Sequence, residues 1–124
     1  MPGEGREHYK FPKASRLSQA SEFALVRQAG RAWSGRHLVL AVLVRPEKDR
    51  VRLGIVTTRK VGSAVIRNRV RRRIREIFRL HQFELVSGIW LVTIARVSAA
   101  NAGFQDLERD WLRLAERASI LGRS

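Results

Sequence analysis

The sequence predicts an α/β (α+β) domain, a two-layer sandwich around one sheet, and three features predict it. Residues 38–45 (LVLAVLVR) form a continuous apolar run of strand length, and residues 51–58 (VRLGIVTT) alternate in character. Residues 64–80 and 104–118 each repeat apolar side chains at the spacing of an amphipathic helix. Strands and helices interleaved in a chain of 124 residues make one domain with one sheet, too small to be doubly wound.

Taken in order, residues 1–15 hold Gly, Pro and charge without periodicity and read as a flexible basic arm, and residues 16–120 read as the folded domain. Ser18, Ser21 or both are placed to cap a first helix that runs to about Ala29, with Phe23, Leu25 and Val26 as its buried residues. Gly30 suits its stop. Residues 30–37 (GRAWSGRH), with two Gly, two Arg and Trp33, read as a loop. Residues 38–45 then give a strand buried on both faces, residues 46–50 (PEKDR) a polar turn of hairpin length, and residues 51–58 a second strand. On that strand Val51, Leu53, Ile55 and Thr57 share the core face, while Arg52, Gly54, Val56, Thr58 and then Lys60 share the other. Cations, a hydroxyl and a glycine that bares the backbone suit the floor of a ligand groove.

Gly62-Ser63 breaks the pattern and supplies an N-cap for the helix over about residues 64–80. Residues 89–95 (IWLVTIA) read as a third strand and residues 99–103 as a small-residue turn. Phe104, Leu107, Trp111, Leu114, Ala115 and Ala118 form the buried stripe of a C-terminal helix.

Composition narrows the function. Lys and Arg number 25 against 11 Asp and Glu, a net charge of +14. Such a surface repels itself unless a polyanion, most often nucleic acid, neutralises it. The absence of Cys excludes a disulfide scaffold. The longest apolar run, residues 38–44, is far short of the roughly 20 residues of a spanning helix. Residues 1–13 hold no apolar stretch for a signal peptide, so the expected location is the cytoplasm. His8, His37 and His81 lack ligand spacing, no Ser occupies a nucleophile elbow, and the carboxylates are scattered among Arg and Lys. No catalytic residue and no protein-bound metal are therefore expected.

Residues 59–79 (RKVGSAVIRNRVRRRIREIFR) carry the signal. At 100° per residue, Ile66, Val70, Ile74, Ile77 and Phe78 fall within an arc of about 120°, and arginines fill the rest. Arg67, Arg71, Arg75 and Arg79 make an uninterrupted i,i+4 row of like charge, each pair costing about a few tenths of a kcal/mol. A merely solvated face mixes signs, and here only Glu76 interrupts the positive charge. Tolerated repulsion of this kind points to a bound polyanion, and Arg in place of Lys suits bidentate phosphate recognition. The nucleic-acid-facing set is Arg59, Lys60, Arg67, Asn68, Arg69, Arg71, Arg72, Arg75 and Arg79, with free amides at the helix start as a further anion site. Asn68 either reads a base edge or 2′-hydroxyl or simply tolerates exposure. Trp33 is the candidate stacking aromatic, its alternative being to cap the core.

This string, with Thr58-Arg59-Lys60-Val61 before Gly62, closely resembles the signature of the bacterial ribonuclease P protein subunit, whose Arg-Asn-Arg core is here Arg67-Asn68-Arg69. The resemblance spans about residues 16–118, and Phe11-Pro12-Lys13 leading into Arg16-Leu17 is similar to some members. It implies a small partner of a catalytic RNA subunit in an enzyme that removes the 5′ leader from precursor tRNA. It implies magnesium held by the RNA for hydrolysis, no cofactor on the protein, no membrane and no obligate protein partner. It further implies a mixed sheet like that of a ribosomal-protein domain, with the basic helix in a left-handed βαβ crossover where general rules predict a right-handed one. The sheet face and first helix would form the leader groove, from Phe23, Arg27, Arg52, Val56 and Thr58. Members often have Lys where this chain has Arg71, and an aromatic where it has Arg27, so a phosphate or cation–π contact replaces stacking there. A ribosomal or other structural RNA-binding protein is the alternative that explains charge and size equally well.

Overall fold

The computed structural model describes residues 11–48 and 50–122. Four strands, β1 (Arg31–Ser34), β2 (Leu38–Val44), β3 (Arg52–Val56) and β4 (Ile89–Ala95), form one sheet in the order β1-β2-β4-β3. β2 pairs antiparallel with both β1 and β4, whereas β3 and β4 run parallel. Parallel neighbours require a crossover, and the basic helix supplies it. The helices are α1 (Ala20–Ala29), α2 (Ala64–His81) and α3 (Phe104–Arg117). The expected α+β domain around a single mixed sheet is therefore present.

Strand alternation splits the interior in two. Leu38, Leu40 and Val42 of β2, Leu53 of β3 and Leu91 of β4 meet Val70, Ile74, Ile77 and Phe78 of α2 and Leu107, Trp111 and Leu114 of α3. Trp111 Nε1 donates to Thr93 Oγ1 at 3.1 Å, so each of these two buried polar groups has a partner. On the opposite face Ala41, Trp90 and Val92 pack with Leu17 and with Val26 of α1. Helices thus cover both faces, and the sandwich carries a partial third layer, α1, beyond the two expected.

Several local expectations are corrected. The turn at residues 46–50 does not close a hairpin, because β4 lies between β2 and β3. The hairpin is β1–β2, formed by the segment that reads as a loop. Its turn is held from α3: the backbone N–H groups of Arg36, His37 and Leu38 all donate to the buried Asp110 carboxylate, at 3.2, 2.9 and 3.0 Å. Gly35 admits that approach, since a Cβ there would lie 2.6 Å from Asp110 Oδ1. α1 is capped by Gln19 and Glu22 reciprocally, not by Ser18 or Ser21, and Leu25 is exposed while Val26 is buried. The small-residue turn is a 3-10 helix, Val97–Asn101. The arm expected over residues 1–15 lies outside the described residues up to residue 10. Beyond it Phe11 is docked, its ring 5.6 Å from that of Phe78.

Candidate nucleic-acid interface

α2 is fixed by its apolar stripe, with Val70, Ile74, Ile77 and Phe78 wholly buried. Ser63 Oγ accepts from the Ile66 N–H and caps its first turn. That anchoring sorts the arginines by direction. Toward β3 and α1, Arg71 Nη2 donates to Thr57 Oγ1 at 2.7 Å, and Arg67 Nη1 reaches the Gly62 carbonyl at 3.4 Å. Away from them, Arg69 and Arg73 donate to the carbonyls of Ala100 and Ala102, at 3.1 and 2.6 Å. Between these flanks Asn68 and Arg72 are exposed. Arg79 instead grips Glu76 through Nε and Nη2, and this contact holds the Glu76 carboxyl below the usual range.

A groove of about 130 Å³ runs between α1, β3 and α2, lined among others by Arg16, Leu17, Phe23, Gly54, Arg71 and Arg75. Leu17 N–H donates to the Leu53 carbonyl at 2.9 Å, so the segment before α1 is tied to β3. The Phe23 ring lies directly over Gly54, where a Cβ would meet Phe23 Cε1 at 2.5 Å. Arg16 donates from Nη2 to the Phe11 carbonyl at 2.8 Å, with its guanidinium 5.0 Å from the Phe11 ring centroid. Its Nε is buried with no hydrogen-bond partner in the protein. Burial, then the like charges of Arg16 and Arg71, push the Arg75 pKa down. None of the described residues lining this groove is acidic. Three guanidiniums therefore crowd one groove without a counter-charge.

The structure brings only part of the sequence-derived set to this groove. Phe23, Arg71 and Arg75 line it. Arg59 and Lys60 are exposed in a 3-10 turn, Arg59–Val61, between β3 and α2, and Thr58 is exposed just before it. Arg27 is exposed on α1. Arg52 is engaged within the protein. Its Nη1 pairs with Glu22 Oε2 at 2.6 Å, its Nη2 donates to the Arg16 carbonyl at 2.8 Å, and its guanidinium lies 5.1 Å from the Trp90 ring centroid. Burial alone would push the Glu22 carboxyl up, but the amides of Ser18 and Gln19 and the Arg52 guanidinium outweigh it and hold the carboxyl low. Val56 is half-buried against the smaller core. The glycine-bared floor is thus covered by Phe23, and the groove opens beside it.

Arg16 and Thr57 were missed by the sequence reading. Arg16 lies in a stretch without periodicity, and Thr57 reads as a core-facing residue; only the tertiary approach of α2 reveals either. Trp33 packs partly against the main core with Arg31 5.2 Å from its ring centroid. Among the described residues no group of three or more His, Asp or Glu is arranged to hold a metal ion, and no helix is long and apolar enough to cross a membrane.

Comparison with known proteins gives one consistent result. A family model described as Ribonuclease P matches residues 11–119. The ribonuclease P protein component of Clostridioides difficile is 37% identical over 111 residues, covering 89% of this chain and 96% of the relative. That of Chloroflexus aggregans is 40% identical over 110 residues, covering 88% and 81%. Among solved structures, the RNase P protein of Staphylococcus aureus superposes with a TM-score of 0.81 at 27% identity, covering 89% of this chain and 100% of that one. The RNase P protein of Thermotoga maritima superposes with a TM-score of 0.74 at 30% identity, covering 82% and 96%.

Proposed function

The chain belongs to the ribonuclease P protein family and is the protein subunit of the enzyme that removes 5′ leaders from precursor tRNA; from that premise we propose how its surface divides the work. The arginine crest of α2 lies on the catalytic RNA, and the groove between α1 and α2 takes the leader of the precursor tRNA. One observation carries this reading: Arg16, Arg71 and Arg75 converge on a groove with no acidic lining residue. A phosphodiester strand laid there supplies the missing negative charge, and each planar fork has N–H groups left to donate to it. Phe23, half-buried at the groove wall, offers an apolar edge to a base of that strand.

Along the crest, Asn68 and Arg72 present donors to phosphates and 2′-hydroxyls of the RNA. Arg67 and Arg69 flank them, and the Ala100 carbonyl steadies Arg69 while leaving its remaining N–H groups free. Arg59 and Lys60 extend the positive surface past the N-terminus of α2, where the helix dipole adds to it. The protein in this reading binds and orients, and no side chain attacks the phosphodiester. Among the described residues no group of carboxylates and imidazoles is arranged to hold a metal ion; in this reading magnesium is held within the RNA–protein complex, with no further protein partner required. The working place of the complex is the cytoplasm. The structural-RNA-binding alternative yields to the family match over residues 11–119.

Reconstitution tests this. Protein alone with magnesium should leave precursor tRNA uncut, and adding the catalytic RNA should give cleavage with a 5′-phosphate on the tRNA. Robust metal-dependent cleavage by RNA-free protein would falsify the division of labour.

A further inference from the structure

We infer that the edge of the sheet opposite the leader groove is a second RNA-binding surface, which takes an unpaired nucleotide of the catalytic RNA in a groove lined by Trp33. This inference rests on RNA being the partner, as proposed above, but uses residues that the reading of α2 leaves idle.

The first observation is a second like-charge row. Arg109, Arg113 and Arg117 follow one another at i,i+4 on α3, and all three are exposed. Arg109 is ion-paired within the protein, with Asp106 Oδ1 at 3.4 Å, and Arg113 lines a small pocket with Asp110. Arg117 Nη1 reaches over the β1–β2 hairpin to the Ser34 carbonyl at 3.4 Å, which turns the end of the row toward β1. Asp110 keeps its negative charge beside the row, but its carboxylate is buried and accepts from three backbone N–H groups of the hairpin. Unlike α2, α3 mixes signs, since Asp106, Glu108, Asp110 and Glu116 lie on it too, so the row points to an anion only together with the groove it leads to.

The second observation is what the row leads to. A groove of about 610 Å³ opens between β1, β2 and the residues after α3, lined among others by Arg31, Trp33, Val42, Val86, Arg117 and Ile120. No described residue lining it is acidic. Its volume suits a small planar ligand, its walls are polar and apolar in about equal measure, and the charged residues lining it are two arginines. An indole in the lining, serine hydroxyls beside it and two arginines fit a nucleobase with its polar edge and phosphate. An acidic peptide would satisfy the arginines but would leave the indole wall without a matching planar face.

The occupant is the catalytic RNA and not the leader. β1 and β3 are opposite edges of a four-stranded sheet, roughly 14 Å apart at about 4.8 Å per strand spacing, with the helices rising between them. A large folded RNA already seated on α2 can reach both edges, and the arginine row of α3 leads toward β1 from the helix side of the sheet, away from the α1 wall of the leader groove.

The chain has no cysteine, so one introduced thiol gives one tether. Ser119→Cys, at the rim of the Trp33 groove, carries an iron chelate for hydroxyl-radical cleavage in the complex of protein, catalytic RNA and precursor tRNA. Val65→Cys, on the exposed start of α2, serves as the companion. The expected result is a cleaved segment of catalytic RNA from Ser119→Cys that differs from the segment cleaved from Val65→Cys. No cleavage from Ser119→Cys, or cleavage of tRNA alone, overturns the inference; failure at Val65→Cys overturns the reading of α2 instead. In parallel, Arg113→Gln with Arg117→Gln should weaken binding to the cognate catalytic RNA about tenfold and make the salt slope shallower by about two. The pair Lys13→Gln with Arg50→Gln removes equal charge elsewhere and should do much less. Trp33→Leu, which keeps an apolar side chain against the core, should lower affinity about fivefold with an unchanged salt slope, since stacking carries no counterion release. Equal losses for both charge pairs would mean net charge alone, and would sink the second site.

Discussion

The two faces of the sheet are held by different chemistry. Under α2 and α3 the layer is large and dry: Phe78, Trp111, Ile74, Leu107 and Leu114 are all essentially inaccessible. Under α1 the buried set is small, and cations complete it. Arg45 and Arg52 both lie against Trp90, at 4.5 and 5.1 Å from its ring centroid, and each arginine is in turn paired with a glutamate, Glu47 and Glu22. The first face fixes α2 as a rigid bearer of arginines. The second leaves α1 joined by one buried valine and a half-buried phenylalanine, a wall able to adjust to a strand beside it.

If that contrast is right, substitutions on the two faces should differ in size. Ile74→Ala should cost about 2–5 kcal/mol, because it empties a site with no access to water. Urea unfolding at constant pH checks it, and a loss under 1 kcal/mol would mean that the large face is looser than its burial indicates. Arg52→Ala should cost less, about 1–3 kcal/mol, since it leaves Glu22 Oε2 and the Arg16 carbonyl without their donor in a partly buried setting. The same titration reads it out, and the variant should still bind catalytic RNA.

A smaller effect is expected where α2 meets α3. His81 places both ring nitrogens against carboxylates, Nδ1 on Glu84 and Nε2 on Glu108, at 2.8 and 2.7 Å, with its ring stacked on Trp111. Both nitrogens can donate only as imidazolium. Burial pushes the pKa down, but the bonds to Glu108 and Glu84 outweigh it and raise it. The stabilisation is therefore complete below the unfolded value of about 6.5 and is lost as pH rises through the folded pKa. Melting temperatures at successive pH values should fall slightly across that interval, and His81→Gln should flatten the fall.

The amphipathic helices and three of the strands were legible because their periodicity is local. Ile66, Val70, Ile74, Ile77 and Phe78 declare one face of α2 without reference to anything else in the chain. What was not legible was pairing. Residues 38–44 announce a strand buried on both faces, yet nothing in them says that β4 would separate it from β3. β1 was hidden because Gly30, Gly35 and two arginines read as loop chemistry, while the carboxylate that folds the hairpin stands 74 residues away from Arg36. The arginines of α2 were identified as a set, but alternation along β3 could not distinguish a cation facing RNA from Arg52, whose partners Glu22 and Trp90 come from other elements. Arg16 was missed for the same reason.

The central claim, that the uncompensated guanidiniums beside Phe23 hold the leader, is tested most directly by Arg71→Gln with Arg75→Gln in the assembled enzyme. Affinities for precursor and mature tRNA are measured at one salt concentration, after melting curves confirm the fold. Loss of charge-assisted contacts of about 1.5–3 kcal/mol each predicts at least a tenfold weaker grip on precursor tRNA and no change for mature tRNA, which has no leader to hold. Equal losses for the two would contradict the account and place the leader elsewhere.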